Sequence, residues 1–214
     1  MTAEHPASPA VGVHSLEVRW IFPGQLETAV TEWFGRSAPA MESREDAYLL
    51  GPHLPGLSVK IRGGEAFEVK AYHGSPGTLD VAGRARGRME SWQKWSFPFD
   101  PPRQASVELA GWRLIRKKRR ISRFPLIARR GRMSLPGLGE EPGCAVELTE
   151  IRMRGEAWWS LGFEAIGPAS LLHSELEATA ALVLAEAAPP GIELGTNDSR
   201  SYAEWLGQRR DAEA

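Results

Sequence analysis

The amino-acid sequence predicts a mainly β protein of the α+β class: an antiparallel, closed or nearly closed eight-stranded β-barrel that forms a tunnel, with flanking helices. Several short runs alternate polar and apolar residues with a period of two, as β-strands do. Turns rich in glycine and proline separate these runs. Helical spacing occurs only near the two ends of the chain, so the repeated β–α–β pattern of a parallel sheet is absent. Roughly seven or eight antiparallel strands with few helices favour closure into a barrel.

The first strand and the first helix are separated by a change of period. Residues from Val13 onward alternate between two faces until Pro23 ends the run. Apolar residues at helical spacing then predict a short helix over residues 26–34. Residues 46–50 have the composition of the next strand, and residues 52–56 form a turn-rich link.

A β-hairpin is predicted next along the chain. Residues 57–62 and 67–72 both alternate, and Gly63-Gly64 supplies a tight turn between them. The stretch 73–87 is rich in glycine and is expected to be a loop. Alternation resumes over residues 88–97, which predicts a further strand.

The second half of the chain is expected to hold one basic strand and one further pair. Residues 107–124 are strongly basic and alternate with apolar residues. The stretch 129–143 is rich in glycine and proline, which indicates a loop. Residues 144–152 and 157–166 alternate again, and Arg154-Gly155 between them predicts a turn that pairs the two strands.

Two helices are predicted near the C-terminal end. Leucines and alanines at helical spacing mark residues 171–187, and Pro189 stops that helix. Residues 199–206 form a last short helix. We therefore divide the chain into a disordered leader (1–12), one tunnel domain (13–206) and a C-terminal tail (207–214).

Composition excludes several classes of protein. The 214 residues include 26 Lys and Arg against 27 Asp and Glu, so no global charge attracts nucleic acid or an anionic membrane. A single cysteine rules out an intrachain disulfide and fits a reducing cytoplasm. The longest apolar stretch, 178–184, is too short to span a membrane. The sequence contains no P-loop motif and no legible Ser-His-Asp arrangement.

Charged residues recur on one face of several predicted strands. The same-side sets are Glu17 with Arg19, Lys60 with Arg62, Glu68 with Lys70, and either Arg116, Lys118 and Arg120 or Lys117 and Arg119. A shift of one residue exchanges the last two sets, because strand side chains have a period of two. In one interpretation these faces are solvated and the apolar faces form the core. In the other the charged faces point into a barrel wide enough for water and an anion.

Inward-facing cations would suit a triphosphate. Phosphate oxygens accept several hydrogen bonds, and an arginine binds them through two parallel N–H groups. Carboxylates on neighbouring strands could hold Mg²⁺ or Mn²⁺ through oxygen ligands. The candidate carboxylates are Glu17, Glu147, Glu150 and Glu164.

The order of these strands resembles the CYTH domain, the fold of the triphosphate tunnel metalloenzymes. The family opens with an E-x-E-x-K strand, and Ser15-Leu16-Glu17-Val18-Arg19 stands in that place. Lys60-Ile61-Arg62 and Lys70 are similar to its next basic strands, followed by basic residues 116–120 and acidic strands at 146–150 and 162–166. Ser201-Tyr202 is similar to the Ser-Tyr motif near the end of many members. The resemblance implies a tunnel that binds a triphosphate-containing ligand and a divalent metal.

This chain departs from the family pattern at two acidic positions. Ser15 replaces the first acid of the opening strand, and Ile166 replaces the second acid of the late E-x-E strand. Loss of carboxylates weakens metal binding, whereas the cationic set is retained. The sequence therefore supports anion binding better than hydrolysis.

The resemblance assigns a role to each candidate site residue. Glu17 and Glu164 are the predicted catalytic residues. Glu17, Glu147, Glu150 and Glu164 are the predicted ligands of Mg²⁺ or Mn²⁺. The predicted phosphate-binding residues are Arg19, Lys60, Arg62, Lys70, Arg116, Lys118 and Arg120.

Two functions follow as expectations. The first is a cytoplasmic, divalent-metal-dependent phosphohydrolase that acts on an inorganic or organic triphosphate. The alternative is a catalytically weakened module that binds polyphosphate or a nucleotide without turnover. Nucleic acid is a disfavoured partner, because the basic residues 113–132 alternate with apolar ones. No membrane partner is expected, and the sequence leaves the oligomeric state open.

Overall fold

Eight antiparallel strands close into a barrel in the computed structural model, which describes residues 12–50, 56–98, 111–126, 142–185 and 187–211. This confirms the predicted fold class. The strands are β1 (Val13–Pro23), β2 (Ala40–Leu49), β3 (Leu57–Arg62), β4 (Ala66–Val81), β5 (Ala85–Pro98), β6 (Trp112–Pro125), β7 (Gly143–Met153) and β8 (Glu156–Ile166). The helices are α1 (Thr28–Gly35), α2 (Leu172–Leu184) and α3 (Tyr202–Asp211).

The barrel closes through neighbours that are distant in sequence. The strand order around it is β1-β5-β4-β3-β2-β6-β7-β8, and β8 pairs back onto β1. Every strand pair is antiparallel. Closure gives every strand a neighbour on each side, although the ladders differ in length and the second half of β4 pairs with β5 alone.

The predicted loop over residues 73–87 is wrong, because β4 and β5 continue through it. β4 runs to Val81, and residues 82–84 make the turn into β5. The ladder between these strands shifts register around Gly74 and Gly77, which have φ values of 115° and 144°. Only glycine adopts such angles readily, so the glycines that suggested a loop instead allow β-bulges within a long hairpin.

The apolar core lies outside the barrel wall. Helices α1 and α2 pack against the outer faces of β1, β7 and β8, where Trp20, Leu148 and Phe163 are fully buried. The alternate residues on these strands must therefore face the barrel interior. This arrangement supports the second interpretation of the charged faces, in which they point inward.

Helix α3 covers one end of the barrel. Its Trp205 and Leu206 pack against inward-facing Ile21, Ile151 and Met153. The backbone N–H of Glu204 donates to the Ser201 hydroxyl over 3.3 Å, which caps the start of the helix. The helix extends to residue 211, further than the predicted end at 206.

Several predictions lie partly outside the described residues. These are the leader (1–12), the link over 52–56, the basic strand over 107–124, the loop over 129–143, the helix over 171–187 and the C-terminal tail (207–214). No helix within the described ranges is long and apolar enough to cross a membrane.

Candidate functional site

The barrel interior is a tunnel with a strongly charged lining. Two adjoining cavities share much of that lining. The lining carboxylates are Glu17, Glu68, Glu147 and Glu164. The lining cations are Arg19, Arg44, Lys60, Arg62, Lys70, Lys94, Lys117, Arg119 and Arg123. Glu42 and Asp46 also pair with lining cations. When they are counted with the lining carboxylates, positively charged side chains still outnumber negatively charged ones among the described residues.

Lys70 joins two strands at the centre of the tunnel. Glu17 on β1 and Glu164 on β8 are register partners, and both carboxylates face inward. The ammonium of Lys70, which comes from β4, donates to Glu164 over 2.9 Å and also to Glu17. Burial alone would lower the pKa of Lys70, but the two carboxylates outweigh it and raise it. Lys70 therefore stays charged, held by both acids.

The two carboxylates bound to Lys70 differ in their electrostatics. Burial raises the pKa of Glu17 despite Lys70, and the nearby charge of Glu164 adds to the rise. Burial would also raise the pKa of Glu164, but Lys70 and Lys94 outweigh it and lower it. If the pair took up one proton, Glu17 would be the one to hold it.

A second cluster is centred on Glu147 of β7. Its carboxylate accepts hydrogen bonds from Arg119 and from the Thr149 hydroxyl, and it forms a 3.5 Å ion pair with Arg19. These partners outweigh burial and hold the pKa of Glu147 well below its ordinary value. Gly162 makes room for the cluster, since a Cβ there would lie 2.8 Å from Cζ of Arg19.

A third cluster joins the β3–β4 hairpin. Glu68 accepts from Lys60 over 2.8 Å and from Arg62 over 3.1 Å. Burial alone would raise the pKa of Glu68, but these two cations outweigh it and lower it to about 2. The predicted hairpin thus places two cations and one buried carboxylate on the same inner face.

The end of the tunnel beneath α3 holds a buried lysine. Lys117 donates to the Tyr48 hydroxyl over 2.6 Å and lies 3.1 Å from the carboxylate of Asp46. Its ammonium is also 4.0 Å from the ring centroid of Tyr202 on α3. Burial lowers the pKa of Lys117, although Tyr48 and Asp46 oppose the shift. Charge therefore extends along the tunnel to its covered end.

The predicted inward placement of Arg116, Lys118 and Arg120 is wrong by one residue. Arg116 is 80% exposed and pairs with Glu45, and Lys118 and Arg120 both approach Glu150 on the outer face. Glu150 therefore cannot join the predicted metal ligands in the tunnel. The outer cations already have carboxylate partners, which also weakens the hypothesis that this strand docks RNA.

The error in which face of β6 points inward has a physical cause. We expected the apolar face of each strand to lie outside the barrel. In β6 the buried Ile115 and Ile121 share the inner face with Lys117 and Arg119, while Leu114 is 46% exposed on the outer face. The inner face of this strand is thus mixed, so polarity alone gives no guide to its direction.

Most of the other candidate residues do come together. The tunnel is lined by Glu17, Arg19, Lys60, Arg62, Lys70, Glu147 and Glu164, as predicted from their strands. Their catalytic, metal-binding and phosphate-binding roles stay predictions. The alternative set of the basic strand, Lys117 and Arg119, is the one that lines the tunnel, and three further lining cations were not singled out from the sequence, namely Arg44, Lys94 and Arg123. Arg44 could have been predicted from the sequence, because Glu42, Arg44 and Asp46 alternate along β2. That strand begins at Ala40, earlier than predicted.

The carboxylates of the tunnel do not fit the predicted metal centre as they stand. No group of three or more His, Cys, Asp or Glu side chains gathers as a metal site among the described residues. The ammonium of Lys70 binds both Glu17 and Glu164, and Glu147 is taken up by Arg19, Arg119 and Thr149. Mg²⁺ or Mn²⁺ in this tunnel therefore stays a prediction from the resemblance.

The fold and the site define a closed antiparallel barrel with a cation-rich tunnel. No family model matches the chain, and no curated protein matches it either. Similar solved structures include a conserved hypothetical protein from Pyrococcus furiosus, 19% identical, covering 88% of this chain and 98% of that one, with a TM-score of 0.47. A protein from Pyrococcus horikoshii OT3 is 14% identical over 91% of this chain and 99% of its own, with a TM-score of 0.44.

A third similar structure is the capping enzyme triphosphatase of Mimivirus. It is 10% identical, covers 79% of this chain and 89% of its own, and has a TM-score of 0.38. All three TM-scores are below 0.5 and all three identities are below 25%. The activity of these proteins is therefore not transferred to this chain.

Proposed function

We propose that this chain is a CYTH-like tunnel protein that binds a triphosphate-containing small molecule or polyphosphate without metal-dependent turnover. One observation carries the proposal: among the described residues, cations outnumber carboxylates in the lining of the barrel interior. Several positive charges held close together repel one another and favour a polyanion between them. A chain of phosphates supplies both the charge and the acceptor oxygens that such a lining needs.

The lining cations are held in place before a ligand arrives. Arg119 bridges Glu42 and Glu147, Lys60 is fixed by Glu68, and Lys70 by Glu17 and Glu164. Side chains that are already ordered lose little further entropy on binding. In the complex, each of these cations would contact a phosphate oxygen and its carboxylate partner at the same time. The carboxylate would therefore keep the cation oriented toward the ligand.

Metal-dependent hydrolysis is a second candidate, and one observation favours it. Glu17 and Glu164 are register partners that both face inward, the smallest carboxylate set from which Mg²⁺ is commonly held together with substrate phosphates. The binding function is preferred because Lys70 engages both of these carboxylates.

The binding proposal is tested by isothermal titration calorimetry with inorganic tripolyphosphate. The variant Arg119→Met removes an inward cation, and Arg116→Met, three residues away on the outer face of β6, is its matched control. We expect binding to be about 10 to 150 times weaker for Arg119→Met, because a lost charge-assisted hydrogen bond is worth about 1.5–3 kcal/mol. The control should bind as the parent does. Equal loss in both variants, or in neither, would show that the tunnel is not the site.

Turnover is tested separately by phosphate release from tripolyphosphate and ATP with Mg²⁺ or Mn²⁺. We expect no release above that of buffer. Metal-dependent release that disappears in Glu164→Gln would instead select the hydrolase.

A further inference from the structure

We propose that the ammonium of Lys70 is a built-in cation that takes the place of a divalent metal between Glu17 and Glu164. Ligand binding in this tunnel is then independent of a metal. This inference rests on the proposed binding function and names the group that neutralises the carboxylates beside the bound anion.

The position of Lys70 is set by three strands. It lies on β4, which only β5 separates from β1 in the barrel order, whereas Glu17 and Glu164 lie on the adjacent strands β1 and β8. Its ammonium reaches both carboxylates, and all three side chains are less than a quarter exposed. A lysine that reaches past β5 to two acids on adjacent strands occupies the point where their negative charges converge.

The remaining polar groups at this point complete the arrangement without a metal. The Ser15 hydroxyl, which is fully buried, donates to Glu17 over 3.2 Å. A hydroxyl that donates satisfies a carboxylate lone pair, whereas a carboxylate in its place would add charge and demand a further cation. The substitutions noted in the sequence, Ser15 and Ile166, thus match a site that needs one positive charge rather than two or more.

Glu147, a further carboxylate of the tunnel lining, already has partners of its own. It accepts hydrogen bonds from Arg119 and Thr149 and forms an ion pair with Arg19, and these contacts hold its carboxylate in place. A divalent ion entering between Glu17 and Glu164 would meet the ammonium of Lys70 and would have to displace it. Because both carboxylates stabilise the charged form of Lys70, that displacement costs two charge-assisted hydrogen bonds.

Lys70 can also contact the ligand directly. An ammonium group has three N–H donors, and Glu17 and Glu164 take two of them. Lys70 lines both cavities of the tunnel, so the third N–H is placed for a phosphate oxygen. One side chain thus does what a bridging metal would do: it neutralises the carboxylates and attracts the anion.

The test uses Mn²⁺ alone, with no phosphate ligand, and follows its effect on Tm and its binding by electron paramagnetic resonance. We expect no tunnel-bound Mn²⁺ in the parent. In Lys70→Met the two carboxylates lose their cation, and Mn²⁺ should raise Tm by about 5 °C at about 100 times its Kd. The gain should vanish in Lys70→Met combined with Glu164→Gln. Lys118→Met, on the outer face of β6, should behave as the parent.

Two results would overturn the inference. One is Mn²⁺ binding by the parent that is lost in Glu164→Gln. The other is a folded Lys70→Met variant that gains no Mn²⁺ site. Should Lys70→Met fail to fold, titration of the parent with tripolyphosphate in EDTA decides: retained binding supports the inference, and binding that appears only with Mg²⁺ refutes it.

The two proposals fail in different ways. If tripolyphosphate binds under no condition, the proposed function is wrong. The Mn²⁺ experiments would then still decide whether Lys70 occupies the place of a metal, because they use no phosphate.

Discussion

Replacing Glu68 with glutamine should destabilise the fold and at the same time strengthen the binding of tripolyphosphate. The Glu68 carboxylate, 3% exposed, holds Lys60 at 2.8 Å and Arg62 at 3.1 Å. Its replacement removes a negative charge from beside two tunnel cations, which makes their surroundings more attractive to a phosphate chain and leaves the cations less well compensated in the empty protein.

The stability change can be estimated from the pKa of Glu68. Burial alone would raise it, yet Lys60 and Arg62 lower it from 4.5 to about 2. At 1.36 kcal/mol per pKa unit this corresponds to about 3 kcal/mol of folding free energy. Because the folded-state pKa is depressed, this stability is present above pH 4.5 and is lost as the pH falls toward about 2.

The assay is urea unfolding of the parent and of Glu68→Gln from about pH 7 down to about pH 3. The difference in unfolding free energy should be about 3 kcal/mol or more at neutral pH and should shrink below about pH 4.5. Glu65→Gln, an exposed position in the turn before β4, should show no such pH-dependent difference. A difference between parent and Glu68→Gln that stays constant across this range would refute the assignment, as would weaker tripolyphosphate binding by the variant.

Two further predictions concern the end of the tunnel and its wall. Trp205→Ala removes a side chain that is 1% exposed, so it should lower the unfolding free energy by about 3–5 kcal/mol in urea titrations. Gly162→Ala places a Cβ 2.8 Å from Cζ of Arg19, so calorimetry should find weaker tripolyphosphate binding, whereas Gly207→Ala, with open space around it, should bind normally. Unchanged stability in the first case, or unchanged binding in the second, would contradict the packing described above.

The overall fold was largely predictable because period-two alternation is a local signal. The runs beginning at Val13 and Leu57 each became a strand with its expected bounds, and the run beginning at Phe67 became the first part of β4. The bulged part of β4 was not predictable in the same way. Its glycines adopt positive φ angles, which lets the pairing with β5 continue past the β-bulges. Sequence alone does not distinguish this role of glycine from its role in a loop.

The site was predictable only in part, because it depends on which face of each strand points inward. Lys60 and Arg62 were placed correctly, since the apolar residues opposite them alternate without interruption. Arg119 stood only in the alternative set, since β6 carries isoleucines on the same face as its inward cations. The contact between Lys70 and Glu164 could not be predicted from the sequence either. It depends on the curvature of the barrel, which brings side chains from strands that are not paired with each other into contact inside the tunnel.

The structure separates the requirements of stability from those of binding. Buried ion pairs contribute little net stability, because desolvation offsets most of their attraction. In this protein the apolar core lies between the helices and the outer barrel wall, where Trp20 and Phe163 are fully buried. Because this outer core stabilises the barrel wall, the barrel interior can hold charged side chains that would be unfavourable in an apolar core. An interior maintained at that cost, with cations in excess of carboxylates, is best explained by an anion that completes it.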